Sequence, residues 1–338
     1  LDTPSTPHPS LTYRPAVDGL RAVAVLSVFV FHMDHRWLPG GFLGVDVFFV
    51  ISGYLIASII FKECRTGSLD LAAFYQRRIA RIMPVFLTVA LATLAAAYLF
   101  YSEQDLASAG ILFSAAAASV ANLKLILQGS YFEIFPDAQP YLHYWSLSVE
   151  EQFYLVFPVL ALWVFRYGGR RRAVLFHGLA VLSLLSCIVL TRLRPVWAFY
   201  LLPTRAWELL AGCILAYHLP SATEPRGRLL PGALSAAGMA AVALSMLFVH
   251  DGPRFPGIWP LLPVAGAVCI LLPVAGPGSL TERLLSAGPL TAVGRTSYSL
   301  YLWHWPIFSF VDYRLFMAPG PARLGLKVAL SAAAAALS

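Results

Sequence analysis

Arg21 and His32 stand eleven residues apart in an apolar run, and their types and spacing are the first sign of chemistry. At 100° per residue the eleven steps make about 1100°, so both side chains leave one helix face, about 16 Å apart along the axis. Asp18 falls within about 40° of that face. An ionisable group at mid-membrane costs about 2.5–3.5 kcal/mol on insertion scales and as a rule faces a bundle interior. Three on one face predict a polar path along the first helix. Imidazole suits proton transfer near neutral pH. The plainer alternative has Arg21 snorkelling to one membrane surface and His32 lying at the opposite interface.

Other polar residues are set into apolar runs in the same way. Arg78 and Arg81 in RRIAR share a helix face, and guanidinium forks grip phosphate oxygens in pairs. The same charges also serve as a plain membrane anchor. In HYWSLSVEEQFY, Ser148 and Glu151 have capping-box spacing. That leaves Glu150 as the bundle-facing carboxylate, with Tyr154 one turn below it. Glu150 or Asp34 can then tune the His32 imidazole. Arg205 and Glu208, at i, i+3, read as an internal pair with a role lining a site. Trp303, His304 and Trp305 read first as an interfacial aromatic belt, with His304 a secondary site candidate. Ser52 reads as a helix-packing residue.

The elements that position these residues follow from composition. Of 338 residues, 59% are hydrophobic and 12% charged, where a soluble domain has about 25% charged. The expectation is an all-α integral membrane protein, one bundle without a separate soluble domain. The formal charge of +7 then reports topology, and no nucleic-acid partner is expected. The four cysteines have no zinc-like or disulfide-framework spacing, and no metal is expected.

Apolar runs near twenty residues long predict spans at 17–36, 42–62, 82–101, 146–165, 173–191, 205–219, 229–249, 258–275, 289–310 and 322–338. Pro84 is placed near the start of the third, where its missing N–H is tolerated. The run 106–128 is long enough to span. However, keeping Arg166 and Arg170 to Arg172 on the cytoplasmic side favours an outer-face, partly embedded segment over 102–145. The loop 62–81, with Lys62, Arg65 and Arg77, also goes inside, as does the loop with Arg226 and Arg228. The polar, Pro-rich residues 1–16 are expected to form a cytoplasmic tail, and residues 17–338 one transmembrane domain. A first residue other than Met and an end inside an apolar run read as a piece of a longer protein.

Nearly the whole chain from Tyr13 resembles the membrane-bound acyltransferase-3 family, which includes bacterial O-acetyltransferases of cell-surface polysaccharides. The resemblance rests on YRPAVDGLRAVAVLSVFVFH, GGFLGVDVFFVISGYLI, FYQRRIARIMPVF, HYWSLSVEEQFYLVFP, PTRAWELLAG and GRTSYSLYLWHWPIF, in that order. It implies transfer of an acyl group, acetyl first among them, from acetyl-CoA or a similar acyl-CoA to a hydroxyl of an extracytoplasmic glycan or glycolipid. The chain would sit among membrane lipid in the cell inner membrane with its N-terminus cytoplasmic. His32 would be the catalytic histidine, as base or acyl carrier, helped by Glu150. Arg21, Arg78 and Arg81 would meet the donor's phosphates. Asp18, Tyr154, Arg205, Glu208 and His304 would line the site, with His143 and Trp145 on the outer loop against acceptor sugar. An oxyanion donor is sought among the backbone N–H groups of Gly40 to Gly44. The last motif resembles the subgroup fused to an extracytoplasmic SGNH-hydrolase-like domain. Two rival readings are a transporter or flippase of a lipid-linked sugar, and a non-catalytic membrane scaffold.

Overall fold

Apolar runs in a medium without hydrogen-bonding solvent must satisfy their backbone internally, which favours helices. The computed structural model describes residues 13–129, 131, 139–219, 229–252, 254–272 and 279–338, and no strand occurs among them. The helices are α1 (Pro15–Met33), α2 (Gly44–Thr66), α3 (Leu71–Phe100), α4 (Glu103–Ala117), α5 (Ala121–Ile126), α6 (Tyr144–Tyr167), α7 (Arg172–Leu193) and α8 (Pro195–Tyr200). They continue with α9 (Leu202–His218), α10 (Leu229–Phe248), α11 (Leu261–Leu271), α12 (Leu280–Leu285), α13 (Gly288–Arg295), α14 (Ser297–Arg314) and α15 (Gly320–Leu337). Of these, α1, α2, α3, α6 and α7 are long and apolar enough to cross a membrane, and α10 and α11 contribute shorter apolar stretches. This is an all-α, multi-pass membrane architecture. Arg226, Arg228 and residues 273–275 of the predicted eighth span lie outside the described residues.

Two spans differ from expectation. Helix α3 starts at Leu71 rather than Ile82, because the Asp70 carboxylate caps it by accepting from the Ala72 and Ala73 N–H groups at 2.9 and 3.1 Å. Arg77, Arg78 and Arg81 therefore ride on regular helix, and Pro84 lies inside the helix instead of at its start. The predicted span 289–310 is split at Thr296 between α13 and α14.

Within 102–145, the described residues form α4, a turn at 118–120 and α5, packed against α6. Ser102 caps α4, whose first turn stands beside the end of α14 through a 3.0 Å bond from Tyr313 to Asp105. The chain breaks at 118–120, with Ser119 in the left-handed region at φ 56°. Polar side chains of α6 hold this turn. Ser119 donates to Glu151, Gln152 donates to the Ser119 carbonyl at 2.8 Å, and Ser148 Oγ accepts from the Ala121 N–H at 3.2 Å. The chain then returns, and Tyr131 reaches His32. The capping box expected of Ser148 and Glu151 is thus corrected. Helix α6 begins four residues earlier, so both are interior and serve the turn.

Helix α2 lies at the centre of the bundle, seated most closely on α9. A Cβ on Gly53 would come within 1.9 Å of the Leu209 carbonyl oxygen, and one on Gly212 within 2.1 Å of that of Val50. Gly53→Ala is expected to destabilise the protein by about 1–3 kcal/mol through overpacking. A thermal midpoint in detergent equal to wild type would show that this interface yields.

Candidate active site

Two cavities lie end to end in the bundle. The larger, about 340 Å³, is lined by Arg21 of α1, Arg78 and Arg81 of α3, Glu150 and Tyr154 of α6, and Arg295 of α13. Four guanidiniums thus face one carboxylate across this cavity. Arg21 does not pair with Asp18 one turn away; its Nε donates to Ser297 Oγ at 3.1 Å. Asp18 instead accepts from the Tyr13 hydroxyl at 2.8 Å and lines neither cavity. Arg78 lies over the Tyr154 ring at 4.8 Å. Glu150 accepts from Ser52 Oγ at 2.5 Å and from the Tyr154 hydroxyl. Ser52, expected only to pack, is therefore a polar lining residue.

The smaller cavity, about 10 Å³, is bounded by His32, Tyr131, Trp145, Phe199, Phe255 and Arg205. His32 Nδ1 lies 3.1 Å from His304 Nε2, the two rings are nearly parallel, and His32 Nε2 lies 2.9 Å from the Tyr131 hydroxyl. His304 Nδ1 lies 2.6 Å from the Tyr301 carbonyl oxygen, which can only accept. For neutral rings, that contact fixes the tautomers in sequence. His304 carries its proton on Nδ1, so its Nε2 accepts from His32 Nδ1–H. His32 Nε2 is left with a lone pair, and the Tyr131 hydroxyl donates to it. A histidine pair thus presents one basic nitrogen to a confined chamber.

Glu150 does not orient His32, contrary to expectation. Both His32 ring nitrogens are taken, and Glu150 lines the other cavity. Asp34 is not the partner either. Its hydrogen bonds from Arg36 on the exposed turn hold its carboxyl down at about 2.

The chain was compared with known proteins. The acyltransferase-3 model, described as an acyltransferase domain, matches residues 14–338. The chain belongs to the acyltransferase-3 family. It is 35% identical over 320 residues to "O-acetyltransferase OatA" of Staphylococcus aureus strain NCTC 8325, covering 89% of this chain and 51% of that protein. It is 35% identical over 317 residues to "Peptidoglycan O-acetyltransferase OatA" of Listeria monocytogenes, covering 89% and 50%. A "Putative O-acetyltransferase SAS0844" of S. aureus strain MSSA476 is 33% identical over 319 residues, covering 90% and 52%. The chain spans about half the length of the curated relatives it matches. No solved structure matches.

Within this acyltransferase-3 fold, the remaining expectations divide. Arg205 is 1% exposed, and its Nη2 donates to Asp46 Oδ1 at 2.8 Å and Glu208 Oε2 at 3.2 Å. Its Nε stands 3.0 Å from Glu208 Oε1, close enough for an ion pair but off the hydrogen-bond line. Four aromatic rings, Phe49, Trp145, Phe199 and Phe255, have centroids 5.7 Å from the guanidinium carbon. The expected pair is present, and Asp46 extends it to a triad. His143 is corrected. It is buried against Tyr301 and His304, not placed on an outer surface for sugar. Trp145 is buried too, as a wall of the small cavity. His304 and Trp305 are core residues against His32, not an interfacial belt, because α14 lies against α1 inside the bundle. The glycine corner offers no oxyanion donor at Gly40, Gly41 or Gly44, whose N–H groups bond to Met246, to Leu38, and to Gly41 and Phe42.

Sequence reading missed Asp46, Tyr131, Arg295 and Tyr301 as site residues. Asp46 had a usable signal, a lone acid inside an apolar run, by the same argument that picked out Arg21. Arg295 had a weaker one, a cation at the threshold of a span. Tyr131 had none, since its contact with His32 spans 99 residues of chain.

Proposed function

We propose that this chain is the membrane part of a cell-envelope O-acetyltransferase, which takes an acetyl group from cytoplasmic acetyl-CoA and passes it towards a hydroxyl of an extracytoplasmic glycan or glycolipid. The observation that carries this reading is the pairing of a cationic cavity with a chamber lined by the His32 ring of the His32–His304 pair. Four guanidiniums against one carboxylate are matched to a polyanion, and bidentate forks suit phosphate oxygens. By the positive-inside rule the arginine-bearing end faces the cytoplasm, where acyl-CoA is made, and the N-terminus lies on that side of the inner membrane. The reach of a pantetheine arm from the arginines would bring the thioester to the wall between the cavities.

The reaction balances with one base. The acceptor hydroxyl oxygen bonds to the acyl carbon, the carbon–sulfur bond breaks, and the hydroxyl proton passes through His32 Nε2 to the thiolate. The products are an ester and a free thiol. In a two-step version the same lone pair first bonds to the acyl carbon as the carbon–sulfur bond breaks and the thiolate leaves. The hydroxyl oxygen then bonds to that carbon as the carbon–nitrogen bond breaks, and its proton goes to the freed His32 Nε2 and on to the thiolate. The acceptor stands either as glycan or as an SGNH-hydrolase-like domain elsewhere in the full-length protein.

The test uses the purified protein in lipid with radiolabelled acetyl-CoA. Thiol release that depends on protein supports the reading, and label retained on the protein selects the two-step route. Arg78→Ala and Arg81→Ala are each expected to raise KM for acetyl-CoA about 10–100-fold, the loss of one charge-assisted contact. Intact acetyl-CoA together with movement of a lipid-linked sugar would replace this reading with a flippase.

A further inference from the structure

Among the described residues, Val45 and Tyr301 are the two that line both cavities. They therefore stand between the arginines and His32. Tyr301 is pinned. Its hydroxyl lies 2.6 Å from Ser146 Oγ and donates to the His143 carbonyl oxygen at 3.1 Å, while its own carbonyl holds His304. Val45 faces it from the first turn of α2. Its β-branched side chain has few rotamers to retreat into. Its backbone is equally fixed, because a Cβ on the neighbouring Gly44 would come within 2.2 Å of the Ala24 carbonyl oxygen of α1. The backbones there already touch, so the opening cannot widen by moving the helix.

Beyond this wall, the chamber beside His32 is about 10 Å³, room for about one water-sized sphere, so the methyl end of an acetyl group already fills it. Besides Val28, Val45 and the Asp46–Arg205 pair, its walls are aromatic and packed on one another. Phe199 lies 4.4 Å from Trp145 and 5.9 Å from Phe255, and Phe42 lies 4.9 Å from Phe255. Extra methylenes in a close-packed wall of this kind force side chains off their rotamers.

We infer that Val45 and Tyr301 form an acyl-length sieve that admits an acetyl group to His32 and turns back four-carbon and longer acyl groups. The inference rests on the acyl-CoA reading above and adds the determinant of donor choice. The long apolar side of the larger cavity, with Phe48, Ile51 and Leu147, accommodates longer chains. Such donors bind without reaching the base, so discrimination falls in kcat rather than in KM.

The experiment compares acetyl-CoA with butyryl-CoA for wild type, Val45→Ala and Val45→Ile, following thiol release in lipid, with a thermal midpoint for each variant to certify folding. Wild type is expected to favour acetyl-CoA in kcat/KM by about tenfold or more, the low end of what a misplaced methylene costs in an apolar pocket. Val45→Ala is expected to raise the butyryl-to-acetyl ratio by about tenfold. Val45→Ile is expected to lower it and to slow acetyl transfer as well. Equal use of both donors by wild type overturns the sieve, even with acyl transfer intact. So does a ratio that stays fixed in folded Val45→Ala. Consumption of neither donor by wild type overturns the acyltransferase reading, and the sieve with it.

Discussion

His32→Ala is expected to lower acyl transfer by about 10²–10⁴-fold, the usual range for losing a positioned general base. The loss should appear in kcat, with KM for acetyl-CoA unchanged, because His32 does not line the cationic cavity. His304→Ala is expected to cost less. It leaves the His32 ring in place but removes the acceptor that holds the His32 proton on Nδ1, so only a fraction of molecules present a bare Nε2. The graded pair of losses is the signature of a base oriented by a second ring. Single-turnover thiol release measures it directly. If the His304 variant were fully active while the His32 variant was dead, the tautomer argument would fall and His32 would act alone. Full activity in His32→Ala would remove this imidazole from the chemistry.

Arg205→Ala is expected to destabilise the protein by about 3–5 kcal/mol, the cost of leaving buried carboxylates without their cation. Asp46 is 1% exposed and Glu208 0%, so neither can recover solvation without opening the bundle between α2 and α9. The four rings around the guanidinium lose their common partner in the same step. Yield of monodisperse protein and thermal midpoint in detergent are the readouts. A triple variant, Arg205→Met with Asp46→Leu and Glu208→Met, should recover much of the loss, since a buried ionic triad and an apolar one of like volume have comparable stability. A single variant as stable as wild type would mean that water reaches the triad.

What was legible in the sequence is what is local. The shared face of Arg21 and His32 is a consequence of helical period, and α1 delivers one to each cavity. Arg78 and Arg81 line the cationic cavity together for the same reason. Five of the ten predicted spans, 17–36, 42–62, 82–101, 146–165 and 173–191, fall on helices long and apolar enough to cross a membrane, because hydropathy over one helix length is a local property. Apart from the helix starts and the missed Asp46, the misreadings were of partners far apart in the chain. His32 was matched to Glu150 and Asp34, the acids available to a reader of motifs, whereas its partners are His304 of α14 and Tyr131. Ser148 and Glu151 have capping-box spacing, but nothing in HYWSLSVEEQFY reveals that the helix has begun four residues earlier at Tyr144. Nor could spacing reveal that the glycines of PGGFLG serve close contact: a Cβ on Gly41 would fall 2.3 Å from the Ser27 carbonyl oxygen.

The wall of Val45 and Tyr301 also has an electrical consequence. Moving one elementary charge through the full membrane potential does work of about 2.3 kcal/mol per 100 mV. Under the acyl-CoA reading proposed above, nucleotide and phosphates would stay with the arginines on one side of the wall, and the acyl group crossing it would be uncharged. Such a crossing would do no work against the field, and its rate would be set by fit and chemistry, whether the membrane is energised or not.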